Sequence, residues 1–138
     1  MRPELAGIVE EFADSERELR LELLLEYANG LPPLPERYAA DHSRLERVHE
    51  CQTPFFLATE IEDGRVRLFF DAPPEAPTTR GYAGVLLAAL DGATVAEVLE
   101  TPSDFYVAMK LAELISPLRL RGMSAILGAI KRRVAEAA

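Results

Sequence analysis

The chain has 138 residues, of which 15 are basic and 23 acidic, so its net charge is −8, and 49% of its residues are hydrophobic. That length suits one domain with its own core, and the acidity disfavours nucleic acid as a primary partner because phosphate backbones repel it. The single cysteine excludes an internal disulfide, and no apolar run approaches the ~20 residues of a membrane span. We therefore expect a cytoplasmic protein with a single domain over residues 1–138 and no membrane partner.

The negative charge is concentrated in the first part of the chain. Met1 to Gly30 holds 3 basic and 8 acidic residues, and Leu31 to Thr78 holds 5 and 9. Thr79 to Ala138 holds 7 basic and 6 acidic residues. This asymmetry fits either a surface that orients a partner or ordinary solvated helix faces, and the sequence leaves both open.

Two helices are predicted at the start of the chain. The first carries apolar residues at helical spacing, namely Leu5, Ile8, Val9 and Phe12. Ser15 and Glu18 have the spacing of a capping box, which predicts the start of a second helix. Gly30 is predicted to end that helix in the left-handed conformation that glycine tolerates.

The middle of the chain predicts a loop followed by a β-hairpin. Leu31 to Glu50 begins with several prolines and has no sustained apolar period, although Arg44 to Val48 could form a short edge strand. From Thr53 onwards apolar and polar residues alternate, which indicates strands. Asp63-Gly64 between the two alternating runs is a strong signal for a hairpin turn.

Helices are predicted for the rest of the chain. One runs from about Thr79 to Gly92, Thr94 and Glu97 cap a short one, Thr101-Pro102 opens another, and Ser116-Pro117 starts a long final helix. Two helices, a hairpin and further helices define an α+β fold. We expect a small antiparallel sheet of two to three strands packed against helices.

Cys51 is the residue best suited to chemistry, at the exit of the long loop. A free cysteine is most often a small buried hydrophobic residue. If Cys51 is buried, however, its polar neighbours His49, Glu50 and Gln52 must either be buried with it or turn outward around it. A working thiol must ionise, which a cation such as His49 favours, whereas the charge of Glu50 raises the thiol pKa. The residues alone leave an inert and a functional thiol equally open.

Other chemistry around Cys51 is disfavoured. A protease-type site needs a histidine oriented by a third group, and a zinc site made of His42, His49 and Cys51 lacks a fourth ligand and a standard spacing. No second cysteine is present to resolve an oxidised one. We expect no metal and no cofactor, and whatever Cys51 accepts is kept until another molecule removes it. This favours a sulfur or redox carrier, with no turnover on its own.

The start of the final helix is unusual. Arg119 and Arg121 oppose the positive end of the helix dipole, and Gly122 costs about 1 kcal/mol relative to alanine in a helix interior. One interpretation is that these residues make a close packing contact or bind an anionic group. The other is that the arginines are an ordinary surface pair and the glycine lies where another helix crosses.

The chain resembles the SufE family, whose members accept sulfur from cysteine desulfurases during iron–sulfur cluster assembly. The residues that carry the resemblance are Leu31-Pro32, Val48-x-x-Cys51-Gln52-Thr53, Gly81, Ser116-Pro117-x-Arg119-x-x-Gly122, Ile126 and Ile130. They occur in the family's order over nearly the whole chain. The Cys-Gln-Thr segment is weak alone, but together with Ser-Pro-x-Arg-x-x-Gly it is specific.

The resemblance implies a mechanism. A SufS-like, PLP-dependent desulfurase would hold sulfur as a persulfide, and Cys51 would take that sulfur, stimulate the desulfurase and pass the sulfur to an iron–sulfur scaffold. A SufE-like fold would place Cys51 at a loop tip over an apolar cavity, and docking would swing it out. Arg119 matches a family arginine near that loop, and the chain is expected to be a monomer. The residues expected to contact the partner are His49, Glu50, Gln52, Glu75 and Arg119.

Four residues at three places in the chain depart from the family pattern. Glu50 replaces the usual glycine before the cysteine, Phe55 and Phe56 stand where tryptophan is common, and Glu75 supplies the acid of a proline-rich turn.

Two alternative functions follow if the role as a sulfur carrier is wrong. One is an adaptor that regulates a cysteine desulfurase while Cys51 stays inert, and the other is a metal-binding or scaffold protein.

Overall fold

The computed structural model describes residues 1–138 and contains seven helices and one antiparallel sheet of three strands in the order β1-β2-β3. The helices are α1 (Pro3–Asp14), α2 (Arg17–Asn29), α3 (Glu36–Ala39), α4 (Pro77–Leu90), α5 (Val95–Glu100), α6 (Phe105–Ala108) and α7 (Pro117–Ala137). The strands are β1 (Glu46–Arg47), β2 (Phe56–Glu62) and β3 (Arg65–Asp71). This architecture confirms the predicted α+β class. No helix combines the length and the apolar character needed to cross a bilayer.

The boundary between α1 and α2 differs from the prediction. Ser15 does not cap α2, because α1 extends to Asp14 and the Ser15 hydroxyl donates to the carbonyl of Glu11 in the last turn of α1. Helix α2 begins two residues later, with Glu16 at its N-cap position. The prediction for Gly30 is also wrong, because this residue has a φ of −84° and a right-handed helical conformation. Its N–H donates to the carbonyls of Glu26 and Tyr27 in the last turn of α2.

The sheet forms as the alternation predicts. Ile61 pairs with Val66 beside the turn, and Asp63 and Gly64 both have positive φ, of 52° and 76°, as a two-residue hairpin turn of type I′ requires. Strand β1 pairs with β2, which confirms the short edge strand predicted from Arg44 to Val48.

The long segment between α2 and β2 covers the outer face of the sheet. Tyr38 of α3 packs against Phe69 with the two rings tilted and their centroids 5.1 Å apart, and its hydroxyl donates to Glu60 over 2.6 Å. Tyr38, Leu45 and Ala58 form a small buried cluster there. The principal core lies on the other face of the sheet, against α4 and α7.

Helix α4 crosses α2 at very short range. A Cβ on Gly81 or on Gly84 would lie within 3.0 Å of the backbone of Leu24 or Tyr27, respectively. Only glycine therefore permits this approach of the two backbones. The helix begins at Pro77, two residues before the predicted start, and after it Gly92 takes a φ of +86°.

Helix α7 packs across the sheet beneath the segment that carries Cys51. The Ser116 hydroxyl accepts the backbone N–H of Arg119 and caps the helix, as predicted. The predicted capping box of Thr94 and Glu97 is likewise present on α5.

Candidate functional site

Cys51 lies in a short loop that leaves the edge of the sheet and returns to it. The Val48 N–H donates to the Phe55 carbonyl over 2.9 Å and closes the loop at its base. The Cys51 N–H donates to the Val48 carbonyl over 3.2 Å, so the chain turns sharply before the cysteine. We call residues 49–54 the cysteine loop.

The Cys51 side chain points into the protein, with only 8% of the residue exposed. Its sulfur lies 3.8 Å from the Gly122 carbonyl oxygen on α7, in the geometry of a weak S–H donor. A Cβ on Gly122 would lie 3.4 Å from the sulfur and 3.5 Å from the Cys51 Cα. A single added carbon would therefore just touch the cysteine loop, which agrees with the predicted close packing contact at this glycine and leaves little space for a larger side chain.

Burial determines the protonation of this thiol. Removal of the sulfur from water, together with the charge of Glu50, raises the pKa of Cys51 to about 11. At neutral pH the thiolate is then only about one part in 10⁴ of the population. Since the thiolate is the nucleophile, Cys51 in the closed loop is protected and almost unreactive.

The neighbours of Cys51 are splayed outward while the cysteine itself is buried. His49, Glu50 and Gln52 are all exposed, and the Glu50 carbonyl faces Gly122. The structure thus groups these three predicted contact residues on the outer surface of the cysteine loop. Their role in partner binding stays a prediction.

Arg119 lies one helical turn before Gly122 on α7 and is exposed. Its guanidinium donates to the Thr78 hydroxyl over 3.0 Å, which links the start of α7 to the start of α4. Glu75 is exposed in the loop that leads to Thr78. Arg119 therefore joins α7 to α4, at a residue that lies three positions after Glu75.

A second contact of the cysteine segment with α7 was not predicted. Glu46, on the strand that leads into the cysteine loop, pairs with both Arg132 and Arg133 near the end of α7. The sequence carries no local signal for the pairing, because 86 residues separate Glu46 from Arg132. Helix α7 thus holds the cysteine segment at Glu46 and at Cys51.

The residues considered for a zinc site lie apart. His42 pairs with Asp71 over 2.8 Å and packs against Phe56, while His49 is exposed. No three side chains of histidine, cysteine, aspartate or glutamate come together in a metal-binding cluster.

The chain is similar to known proteins over nearly its whole length. Residues 6–134 match the model of the SufE family, described as an Fe-S metabolism associated domain. An uncharacterised SufE-like protein of Mycobacterium tuberculosis is 54% identical over 96% of this chain and 92% of its own length. Another, from Synechocystis, is 31% identical over 87% of this chain and 73% of its own.

A solved structure shows the same fold. The solution structure of a hypothetical protein from Thermus thermophilus superposes with a TM-score of 0.88 at 44% identity, covering 99% of this chain and 97% of that one. The family model, the relatives and the solved structure together define the class of protein to which this α+β chain belongs. The chain belongs to the SufE family. Membership supports a role in iron–sulfur metabolism that is linked to a cysteine desulfurase.

Proposed function

We propose that this protein accepts sulfur on Cys51 from the persulfide of a cysteine desulfurase and carries it to iron–sulfur cluster assembly. The observation that carries the proposal is the placement of the only thiol, at the turn of a loop that covers its own sulfur. A sulfur carrier needs a nucleophile that can be presented to a donor and then withdrawn. The structure shows the withdrawn state, and in our proposal a movement of residues 49–54 would present the sulfur to the donor.

The transfer step is a thiol exchange. The Cys51 thiolate attacks the outer sulfur of the donor persulfide, a new S–S bond forms, and the S–S bond of the donor breaks. The donor cysteine leaves as a thiolate, and the proton released by Cys51 balances it. No oxidant is needed, because one S–S bond replaces another.

Opening of the cysteine loop is the step that starts this reaction. In the closed loop the pKa of Cys51 is about 11, so the thiol is neither ionised nor accessible. A donor that binds the exposed surface of His49, Glu50 and Gln52 would draw the loop away from Gly122 and restore contact with water. The pKa would then fall towards its ordinary value and the thiolate would form beside its target.

Mass spectrometry after incubation with a cysteine desulfurase, its PLP and free cysteine tests the proposal. The expected result is a species heavier by one sulfur atom, with the added mass on the peptide that contains Cys51. A desulfurase that turns over while Cys51 never gains sulfur would contradict the proposal. The Cys51→Ser variant is the matched control, since it removes one sulfur atom and keeps the loop.

The second candidate function is an adaptor that stimulates a desulfurase without taking sulfur. The burial of Cys51 favours it, because an inert cysteine would have the same raised pKa. The Cys51→Ser variant separates the two functions. Full stimulation of the desulfurase by this variant would favour the adaptor, whereas lost stimulation at unchanged affinity favours the carrier.

The proposal also specifies partners. We propose a SufS-like desulfurase as the donor, an iron–sulfur scaffold as the recipient, a monomer as the working form and the cytoplasm as the location. The partner surface would comprise the cysteine loop with Arg119 and Glu75. In support, Arg119 lies on the helix that packs against Cys51 and donates to Thr78, three residues after Glu75.

A further inference from the structure

A groove runs along the outer side of α2, away from the cysteine loop. It consists of two adjoining cavities of about 360 and 200 Å³, which share Glu11, Leu23 and Glu26. Leu23, Leu87 and Ala88 supply its apolar lining, and at its end Leu19 is 48% exposed. We call it the α2 groove. From Leu19 to Tyr27 it spans about 12 Å, the length of two helical turns.

The carboxylates of the groove have no cation of their own. Glu11, Glu22 and Glu26 line it, and none of the ion pairs in the protein includes them. The only internal partner is the Tyr27 hydroxyl, which donates to Glu11 over 3.1 Å.

The basic residues of α2 are directed elsewhere. Arg20 is buried and pairs with Glu113 over 2.7 Å, and Arg17 donates to the Glu113 carbonyl over 3.1 Å. Both cations therefore serve the contact of α2 with the segment before α7. The carboxylates beside the apolar lining stay uncompensated, so the approach of a positive group is favourable there.

We propose that the α2 groove binds a basic, amphipathic segment of a protein partner, in which an apolar side chain enters the cavity and flanking lysine or arginine side chains meet Glu22 and Glu26. The apolar lining selects for a side chain of leucine or aromatic type. The carboxylates attract cations and repel nucleic acid and anionic membranes, because these are also negatively charged. A helix lying in a groove of this length is a common mode of peptide recognition.

The groove and Cys51 are separate surfaces. Cys51 rests on α7, whereas the groove is built by α1, α2 and α4, and no residue of the cysteine loop lines it. A partner segment in the groove thus contacts residues other than those of the cysteine loop. The inference therefore goes beyond sulfur transfer and does not depend on it.

Titration of the ¹⁵N-labelled full-length protein with a short amphipathic helical peptide of leucine and lysine, followed by NMR, tests the proposal. Backbone amide shifts should concentrate between residues 19 and 27 and between residues 84 and 88. The Glu22→Gln, Glu26→Gln double variant should bind about tenfold more weakly, because two attractive charges are lost. The Ala88→Arg variant should also weaken binding at least about tenfold, since an arginine at this exposed helix position would occupy the cavity.

The matched control is the Glu100→Gln, Asp104→Asn double variant, which makes the same change in net charge at exposed carboxylates without ion pairs. It should bind the peptide as the parent does, and so should Cys51→Ser. An equal loss in this control, or shifts spread over all acidic surfaces, would overturn the proposal in favour of general charge attraction. Equal binding of a leucine–glutamate peptide would overturn it as well.

Discussion

Gly122 and Cys51 form the contact that keeps the thiol covered. A Cβ on residue 122 would already touch the sulfur at 3.4 Å, so the two further methyl groups of a valine would press on the closed cysteine loop. We expect Gly122→Val to push the loop outward, to cost about 1–3 kcal/mol of stability and to accelerate alkylation of Cys51 by iodoacetamide at pH 7.

The same substitution at Gly128 is the control for this prediction. Gly128 lies on α7 as well, is exposed, and has nothing within 4 Å of a built Cβ. Gly128→Val should leave the alkylation rate unchanged. An unchanged rate in Gly122→Val would show that the closed contact does not limit access to the sulfur.

Glu50 supplies the second cause of the raised thiol pKa. Because burial is the larger cause, Glu50→Gln should lower the pKa of Cys51 below about 11 but leave it above the ordinary value of a thiol. The ultraviolet absorbance of the thiolate, followed against pH, measures this shift. Glu62→Gln, at an exposed carboxylate near the hairpin turn, should have no effect, and a pKa that stays at about 11 in Glu50→Gln would contradict the assigned cause.

At the scale of elements, the crossing of α2 and α4 is fixed by glycine. Gly84→Ala would bring a methyl group within 3.0 Å of the Tyr27 backbone. The two helices would have to move apart to remove this clash. We expect a loss of about 3 kcal/mol in the free energy of unfolding by urea.

Gly128→Ala serves as the control for the crossing. The added methyl group meets open space in an exposed helix, so stability should rise by about 0.5–1 kcal/mol. A Gly84→Ala protein as stable as the parent would mean that the two helices can separate at no cost.

The elements show how far the sequence predicts this fold. The hairpin turn and the cap at Ser116 are local, since each depends on residues within one segment. The contact of Gly122 with Cys51 joins residues 71 positions apart, so the sequence shows an unusual glycine without showing what packs against it. The predicted role of Ser15 was wrong because its hydroxyl can bond either the end of α1 or the start of α2. The spacing of Ser15 and Glu18 in the sequence does not decide between these two helices. The pairing of Glu46 with Arg132 and Arg133 joins segments far apart in the chain, so it exists only once the sheet and α7 have packed.

For the whole molecule, the buried thiol predicts a loss of stability at alkaline pH. The unfolded chain releases the Cys51 proton above about pH 9, whereas the folded chain holds it to about pH 11. In this window the unfolded state binds fewer protons, so the free energy of unfolding falls as pH rises, by at most about 1.4 kcal/mol per pH unit. Below about pH 9 the contribution is fully present.

Urea unfolding of the parent and of Cys51→Ser between about pH 8 and pH 11 measures this contribution, since all other titrating groups are common to both. The difference in stability should shrink steadily above about pH 9. A constant difference over this range would show that the thiol ionises equally in the folded and unfolded chains.

The lone, covered sulfur also governs how the protein behaves when it is stored in air. A disulfide can form only between two copies, and it requires both sulfur atoms to be in contact, so two cysteine loops have to be open at the same moment. The rate of such dimerisation therefore varies with the square of the open fraction, whereas reaction with a small molecule or with one donor protein varies with its first power. A rarely open loop thus suppresses self-oxidation far more strongly than it slows the delivery of sulfur.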